Sequence, residues 1–370
     1  QVQSDDVLTI IFTSGSTGTP KGVMLTNGNV SSNVDAIDQV VHLKKDDVII
    51  GILPLFHSFG YTVTMWAVLM LNIKGAYHYS PLTPRPIGRL AARNKATILL
   101  ATPTFLRSYL KRCKPEDFAT LDVVVAGAEK LPTELCQAFE EKFGVRPVEG
   151  FGATELSPLV SVNVPPSRSI DNFQKDLKEG SVGRPVPGVT AKVVHLETGE
   201  ELSAGEPGML MIKGPNVMKG YLDMPDKTAE VIQDGCYVTG DVAGIDDEGF
   251  ITITGRQSRF SKIGGEMVPH IKIEETLTSI IGGDEEEGLQ AAVTAVPDAK
   301  RGERLVVVHK PLSKSPDELV AGLRSAGLPN LFIPSEDSFV QVEELPVLGT
   351  GKLDLKAVRE VALQRTGAEQ

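Results

Sequence analysis

Near the start of the chain, hydroxyls, glycines and one lysine are concentrated in "FTSGSTGTPKGV". Glycines let backbone N–H groups turn toward an oxyanion, hydroxyls add donors, and a lysine adds a mobile positive charge, so the stretch predicts a polyphosphate-binding loop. It is not a GxxxxGK[ST] loop, because Pro20 precedes Lys21 and Gly22 follows it. Taken alone, the stretch fits a solvated turn after the apolar run "VLTIIF" equally well.

Two further glycine turns follow apolar runs. "LDVVVAGAEKL" reads as a buried strand entering a Gly-Ala-Glu turn, and "RPVEGFGATEL" as a short strand entering a second turn with Thr154 and Glu155. Open parallel sheets bind ligands at the carboxyl ends of their strands, so both turns are expected at one ligand-binding edge.

The elements that must position these turns follow an alternating pattern. Short β-branched runs ("VLTIIF", "DVIIGILPL", "ATILLATP", "LDVVVAGA", "RPVEGFG") alternate with segments of helical period, which predicts α/β layers around parallel strands. The apolar run at 61–73 is too short for a membrane span and predicts a buried core helix. Gly- and Pro-rich period-two runs predict a β-rich subdomain at about 181–255. A small α+β domain is expected over 256–370, after a large domain over 1–255.

The composition narrows the class of function. The chain has 370 residues, 41% hydrophobic and 23% charged, which is enough for a sizeable core and more than one domain. Its 37 Lys and Arg against 48 Asp and Glu give a formal net charge of −11, which disfavours non-specific binding to nucleic acid. Three scattered cysteines without CxxC spacing predict a reducing, cytoplasmic setting and no metal cluster.

Seven short motifs are more specific in their order than any one of them alone. In chain order they are "FTSGSTGTPKGV", "LPLFHSFG", "VVAGAEKL", "GFGATE", "YVTGDVA", "GRQSRFSKIGGEMV" and "ELPVLGTGKLDL". The series resembles the adenylate-forming superfamily of acyl-CoA synthetases, peptide-synthetase adenylation domains and luciferases, over nearly the whole chain. In finer detail it looks most like the synthetase half of the bifunctional acyl-[acyl carrier protein] synthetase / 2-acylglycerophosphoethanolamine acyltransferases.

This resemblance implies a layered α/β adenylate-forming fold that lacks its N-terminal portion and ends in a small mobile C-terminal domain. The implied reaction joins a long-chain fatty acid to ATP with Mg²⁺, giving acyl-AMP and pyrophosphate, and then transfers the acyl group to a phosphopantetheine thiol. Acyl carrier protein is the favoured acceptor and CoA the rival. A linked acyltransferase domain would serve lysophospholipid reacylation, and contact of the parent protein with the inner membrane stays open. The alternatives are a non-catalytic fragment that binds adenylate or fatty acid, and a structural scaffold.

The resemblance also implies which residues bind the nucleotide. Those for the β- and γ-phosphates are Thr13, Ser14, Gly15, Ser16, Thr17, Gly18 and Lys21. Those for adenosine are Phe151, where Tyr is common, with Gly127, Ala128, Glu129, Gly150 and Gly152 around adenine, and Asp241 and Arg256 at the ribose. Thr154 is suited to the α-phosphate and Glu155 to Mg²⁺, a hard cation that prefers carboxylate oxygen. A first-turn helix carboxylate is the alternative for Glu155, and an Asx turn for Asp241.

Three further positions carry expected roles. His57 in "LPLFHSFG" resembles a gate beside the carboxylate pocket, with a buried core histidine as the alternative. Ser258 stands at the hinge where the family usually has Asp or Lys, so a hinge that needs charge is in doubt. Lys352 in "LGTGKLDL" is expected to bridge the carboxylate and the α-phosphate, while a lone loop lysine would ordinarily be solvated.

One pair of residues has the spacing of a motif found in a different class of enzyme. His42 and Asp47 in "HLKKDD" match the HxxxxD spacing of acyltransferases. They lie in a charged loop inside the expected synthetase fold and lack glycine-rich companions, so the match is interpreted as chance. The acyltransferase half is therefore not expected in this chain.

The first testable prediction concerns Lys352. Lys352→Ala is expected to abolish formation of acyl-AMP from ATP and fatty acid, because the lysine neutralises charge only during adenylation. Thioester formation from synthetic acyl-AMP should stay near wild type. Assays of the two half-reactions in parallel test the role, and equal losses in both would contradict it.

Overall fold

The structure is a computed structural model that describes residues 2–13, 20–169, 176–282, 289–347 and 353–368. Two compact units make up the fold: the larger covers the described residues up to Thr254, and the smaller begins at Gly255. The roles expected for these two parts of the chain stay predictions.

The helices and strands of the larger unit are as follows. Its strands are β1 (Val7–Thr13), β2 (Lys21–Thr26), β3 (Val48–Gly51), β4 (Lys74–Tyr77), β5 (Ile98–Ala101), β6 (Val123–Ala126), β7 (Val148–Gly152), β8 (Leu159–Val162), β9 (Arg184–Pro185), β10 (Thr190–Val194), β11 (Gly208–Lys213), β12 (Gly220–Tyr221), β13 (Ile232–Gln233), β14 (Cys236–Ile245) and β15 (Ile251–Arg256). Its helices are α1 (Asn27–Val41), α2 (Ala67–Leu71), α3 (Pro84–Asn94), α4 (Pro103–Arg112), α5 (Thr133–Phe143) and α6 (Pro225–Val231).

A mostly parallel sheet forms the centre of this unit. Within the described residues it has seven strands in the order β4-β3-β5-β6-β7-β8-β9, parallel from β4 to β7 and antiparallel from there on. The last four apolar runs of the sequence therefore form parallel strands, as predicted. The expectation for "VLTIIF" was wrong, because β1 pairs antiparallel with β2 in a separate sheet of order β1-β2-β12.

Helices cover both faces of the parallel sheet. Leu99 and Val124 lie in a core cluster with residues of α3, α4 and α5. Their chain neighbours Ile98 and Val123 lie in a second cluster, with residues of α1. Successive strand residues point to opposite faces, so these nearly continuous apolar runs bury both sides of the sheet and produce the expected layers.

The apolar run at 61–73 differs from the predicted core helix. It starts within a π-type helix, Phe59–Trp66, continues as α2, and stops at Asn72, which has a left-handed φ of 53°. Leu69 is 65% exposed. Apolar content indicated a helix here, but it did not reveal that one face of α2 is uncovered in this chain.

The β-rich part is more divided than expected. Strands β10, β11, β14 and β13 form an antiparallel sheet in that order, with β15 paired to β14. However, β9 belongs to the parallel sheet and β12 to the sheet of β1 and β2. The region at 181–255 thus contributes strands to three sheets, because local composition does not reveal pairing partners.

The smaller unit is α+β, as predicted. Its strands are β16 (Phe260–Ile263), β17 (Glu266–Pro269), β18 (Ala291–Asp298), β19 (Gly302–His309) and β20 (Phe339–Gln341), and its helices are α7 (His270–Ile281), α8 (Pro316–Ser325) and α9 (Leu355–Thr366). The sheet order is β17-β16-β19-β18, with β20 parallel to β19. No helix within the described ranges combines the length and the apolar character that a membrane span requires.

Asp47 is a buried structural carboxylate, although the sequence placed it in a charged loop. Both Asp47 oxygens accept from the two terminal nitrogens of Arg168 at 2.8 Å, and Arg168 Nε donates to Asp122 at 2.8 Å. Asp47 and Arg168 are 1% and 3% exposed. Burial raises the pKa of Asp47, but hydrogen bonds from Arg168, the Lys44 backbone and Thr97 outweigh it and hold the pKa below its ordinary value.

Arg168→Met is therefore expected to lower the free energy of unfolding by about 3–5 kcal/mol at pH 7, because it leaves a buried carboxylate unpaired. The loss should shrink as the pH falls through the lowered pKa of Asp47, where the native ion pair is itself lost. Arg146→Met is the control, since Arg146 pairs with the exposed Glu140 and Glu179, and it should cost less than about 1 kcal/mol. Urea denaturation measures both, and equal costs would contradict the structural role of Arg168.

Candidate active site

Two glycine turns lie side by side at the carboxyl edge of the parallel sheet. Ala126 at the end of β6 is paired with Glu149 in β7, so the following residues, Gly127 and Gly150, are neighbours. A Cβ at Gly127 would lie 3.2 Å from a ring carbon of Phe59 and 3.6 Å from the Gly150 carbonyl oxygen. The predicted adenine-binding turns therefore meet at one edge.

Gly152 permits a close backbone approach in the second turn. A Cβ at this position would lie 2.2 Å from the Pro158 carbonyl oxygen. The same carbonyl accepts from the Ala153 N–H at 3.0 Å. A glycine is needed here so that the chain can fold back before Thr154 and Glu155, which form a short 3₁₀ turn with Leu156.

Carboxylates hold the first turn in place. Glu149 Oε1 accepts from the Leu131 N–H at 3.0 Å, and burial raises the pKa of Glu149. Glu129 is exposed, and its Oε2 accepts from both the N–H and the hydroxyl of Thr104, at 3.2 and 2.7 Å. Ala128 in this turn has a left-handed φ of 69°, a conformation that is uncommon for a residue other than glycine.

Thr154 is anchored by a residue that the sequence did not reveal. The buried Ser58 donates its hydroxyl to Thr154 Oγ1 at 3.2 Å. Because Thr154 accepts this bond, its own proton is available for another oxygen. This arrangement suits the predicted donation to an α-phosphate.

Glu155 is held by Tyr221 of β12. The Tyr221 hydroxyl donates to Glu155 Oε1 at 2.8 Å, and the Glu155 carbonyl accepts from the Met218 N–H at 2.8 Å. Within the described residues, Oε2 has no hydrogen bond. A carboxylate with one anchored and one available oxygen fits a Mg²⁺ ligand. The described ranges contain no group of three or more His, Cys, Asp or Glu side chains arranged to hold a metal ion.

Lys21 meets the same tyrosine. Its Nζ lies 4.7 Å from the centroid of the Tyr221 ring, a cation–π distance. In the β1–β2 pairing Lys21 lies opposite Thr13, so the predicted phosphate loop joins two paired residues. Burial, and then the charge of Glu155, raises the pKa of Tyr221, and Tyr237 is hydrogen-bonded to it.

Of the remaining residues predicted to bind adenosine, Phe151 and Asp241 lie in the larger unit and Arg256 lies in the smaller unit. Phe151 is partly buried and packs against the core cluster that contains Tyr221. Asp241 in β14 is 6% exposed, and its N–H donates to Thr239 Oγ1 at 3.0 Å, a turn bond accepted by the Thr239 side chain and not by the Asp241 carboxylate. Arg256 is the last residue of β15, a strand that begins in the larger unit and whose residues from Gly255 onward belong to the smaller unit.

His57 is an exposed side chain, not a buried core histidine. Its carbonyl accepts from the Tyr61 N–H at 2.8 Å, at the start of the π-type helix. A Cβ at Gly60 would lie 2.3 Å from the Pro54 carbonyl oxygen, which explains the glycine in "LPLFHSFG".

Ser258 lies in the smaller unit, within the 3₁₀ turn Gln257–Arg259. The gate and hinge roles stay predictions.

Several predicted residues lie outside the described residues. They are Ser14, Gly15, Ser16, Thr17 and Gly18 of the phosphate loop, and Lys352. The structure adds three residues to the predicted set: Ser58, Glu149 and Tyr221. Ser58 lies in "LPLFHSFG" and Glu149 in "RPVEGFGATEL", two segments that the sequence analysis singled out. Tyr221 lies in "KGYL", where no neighbouring residue type indicated a ligand-binding site.

Known proteins are similar to this chain in sequence and in fold. A family model described as "AMP-binding enzyme" matches residues 1–222. A long-chain-fatty-acid–CoA ligase of Bacillus subtilis (strain 168) is 33% identical over 94% of this chain and 60% of its own length. ATP-bound MatB from Rhodopseudomonas palustris is 30% identical with a TM-score of 0.79, over 97% of this chain and 68% of that one. O-succinylbenzoate coenzyme A synthetase (MenE) from Bacillus subtilis, in complex with ATP and magnesium ion, is 27% identical with a TM-score of 0.81, over 97% and 71%.

The fold is therefore the α/β fold of adenylate-forming enzymes, as predicted. The chain belongs to the AMP-binding enzyme family. It spans 60% of the length of the Bacillus ligase.

Gly152→Ala is expected to destabilise the larger unit by about 1–3 kcal/mol, because the added methyl would collide with backbone that must shift. Gly127→Ala is the matched control. Its closest contact is a Phe59 ring carbon at 3.2 Å, which can move, so its cost should be smaller. Urea denaturation compares the two variants. A cost at Gly152 that is equal to or smaller than the cost at Gly127 would contradict the predicted backbone collision at Gly152.

Proposed function

We propose that the protein activates a long-chain fatty acid with ATP to give acyl-AMP, and then transfers the acyl group to a phosphopantetheine thiol. The observation that carries this proposal is the convergence of Lys21, Thr154 and Glu155, held by Tyr221 and Ser58, beside the paired glycine turns. Similarity to a long-chain-fatty-acid–CoA ligase supports the class of acid.

The proposed adenylation depends on charge neutralisation and positioning. The fatty-acid carboxylate attacks the α-phosphorus of ATP, and the bond to the departing pyrophosphate breaks. Thr154 would donate to an α-phosphate oxygen, and Lys21 with the loop residues from Thr13 to Gly18 would face the β- and γ-phosphates. Glu155 would hold Mg²⁺, whose charge offsets that on the phosphoryl oxygens.

The other expected roles complete the proposal. Phe151 and the glycine turns would bind adenine, and Asp241 and Arg256 would accept from and donate to the ribose. Lys352 would bridge the reacting carboxylate and the α-phosphate. His57 would gate the carboxylate pocket.

Acyl carrier protein is the proposed acceptor, because "SRFSKIGGEMV" and "LPVLGTGK" resemble the bifunctional acyl-[acyl carrier protein] synthetases. A role in lysophospholipid reacylation at a cytoplasmic location, with a linked acyltransferase domain, is part of the same proposal. CoA is the second candidate, because the Bacillus relative and MenE are named as CoA ligases or synthetases.

Acyl-dependent release of pyrophosphate from ATP tests the first half-reaction. Palmitate, a short-chain acid and no acid are compared, followed by CoA and acyl carrier protein offered separately as acceptors. Release without dependence on the acid would contradict the proposal. A long-chain acyl thioester of CoA but not of the carrier protein would overturn the proposed acceptor.

Glu155→Gln is expected to raise the Mg²⁺ concentration needed for half-maximal pyrophosphate release about tenfold or more, because a charged ligand becomes neutral at nearly constant size. A Mg²⁺ titration at saturating ATP measures the shift. Unchanged Mg²⁺ dependence would return Glu155 to a local structural role in its turn.

A further inference from the structure

Tyr221 connects three separate parts of the larger unit at one point. It lies in β12, which pairs with β2 through Gly220 opposite Met24 and Tyr221 opposite Val23. Its hydroxyl reaches Glu155, 66 residues earlier in the chain, and its ring face lies under the ammonium of Lys21. The residue is 3% exposed, so this placement is fixed by the surrounding core.

The backbone around Tyr221 reinforces the same contacts. Met218 N–H donates to the Glu155 carbonyl at 2.8 Å, and Leu222 N–H donates to the Gly22 carbonyl at 2.8 Å. Tyr221 N–H donates to Thr228 Oγ1 at 2.9 Å. The segment from 218 to 222 is thus bound on one side to the turn of Glu155 and on the other to the strand of Lys21.

We propose that Tyr221 is a positioning residue that orients the Mg²⁺-ligating carboxylate of Glu155 through its hydroxyl and the phosphate-binding ammonium of Lys21 through its ring. This inference rests on the proposed function. The hydroxyl fixes Oε1, which leaves Oε2 as the oxygen presented to a cation. The ring face holds the ammonium by a cation–π contact that leaves its formal charge unpaired, so that charge can act on phosphate.

The chemistry of the hydroxyl supports this role. The buried phenol of Tyr221 donates to Glu155 Oε1 at 2.8 Å, and this directed bond favours one orientation of the carboxylate. Hydrogen-bond partners of metal ligands commonly change metal affinity about 10- to 100-fold when they are removed.

Two substitutions separate the two contacts. Tyr221→Phe removes the hydroxyl and retains the ring, whereas Tyr221→Leu removes both. Tyr109→Phe is the matched control, because Tyr109 is also fully buried and its hydroxyl donates at 2.8 Å to the Pro81 carbonyl, away from these residues. The first readout is Mn²⁺ affinity in the ternary complex with α,β-methylene ATP, measured by water proton relaxation. The second is affinity for the same analogue at saturating metal.

Tyr221→Phe is expected to weaken Mn²⁺ affinity about tenfold while analogue affinity at saturating metal stays near wild type. Tyr221→Leu should weaken both, and Tyr109→Phe neither. If Tyr221 acts through Glu155, adding Tyr221→Phe to Glu155→Gln should weaken Mn²⁺ affinity less than it does alone. A purely structural tyrosine would lower the melting temperature in Tyr221→Phe without changing metal affinity, which would overturn the proposal.

The failures of the two proposals are distinguishable. If the wild-type protein forms no ternary complex with Mn²⁺ and the analogue, the proposed function fails and the role of Tyr221 fails with it. If the wild type forms the complex, Glu155→Gln weakens it and Tyr221→Phe does not, only the positioning role is overturned. Unchanged analogue affinity in Tyr221→Leu would overturn the part assigned to Lys21.

Discussion

The candidate site depends first on the register between two parallel strands. Ala126 opposite Glu149 brings the turn after β6 beside the turn at the end of β7, and the chemistry of both turns follows from that alignment. A shift of one residue would move every side chain of β7 to the other face of the sheet. Glu149 would then no longer reach the Leu131 N–H, and the first turn would lose a hydrogen bond that now holds it. The packing of both sheet faces fixes this register, so the stability of the core and the geometry of the site have the same origin.

Charged groups in the larger unit differ in how fully they are satisfied. Arg168 donates to two oxygens of Asp47, one of Asp122 and the carbonyl of His42. Because the Arg168 guanidinium is buried and donates to all of these acceptors, its role is structural. Glu155 and Lys21 are only partly buried. Glu155 accepts from Tyr221 through one carboxylate oxygen, Lys21 lies over the Tyr221 ring, and among the described residues Glu155 Oε2 has no hydrogen bond. This difference supports the ligand-binding roles proposed for Glu155 and Lys21, which sequence spacing alone did not separate from structural charges.

Much of the architecture could be predicted from the sequence because it is encoded locally. Four apolar β-branched runs marked the parallel strands, and Gly-rich turns after two of them marked the site. Long-range pairing was not predictable in the same way. The run from Val7 to Phe12 has the composition of a central strand but pairs in a small antiparallel sheet, and β12 leaves the β-rich region to join it. Asp47 has the charged neighbours of a surface loop, yet it is buried by Arg168, 121 residues further along the chain. Tyr221 was missed for the same reason, since its role depends on contacts 66 and 200 residues away.

Two adjacent residues, Thr154 and Glu155, show how distant parts of the fold give neighbouring side chains different chemistry. Ser58 donates to the Thr154 oxygen, which leaves the hydroxyl proton of Thr154 free to act as a donor. Tyr221 donates to one Glu155 oxygen, which leaves the other free to accept or to ligate a cation. A short 3₁₀ turn places the two side chains next to each other, and the close approach at Gly152 fixes where that turn begins. A donor and an acceptor side by side match a phosphoryl oxygen and the cation that neutralises it. Ser58 follows β3, Thr154 and Glu155 follow β7, and Tyr221 lies in β12, so the geometry of these two side chains depends on contacts between distant segments of the larger unit.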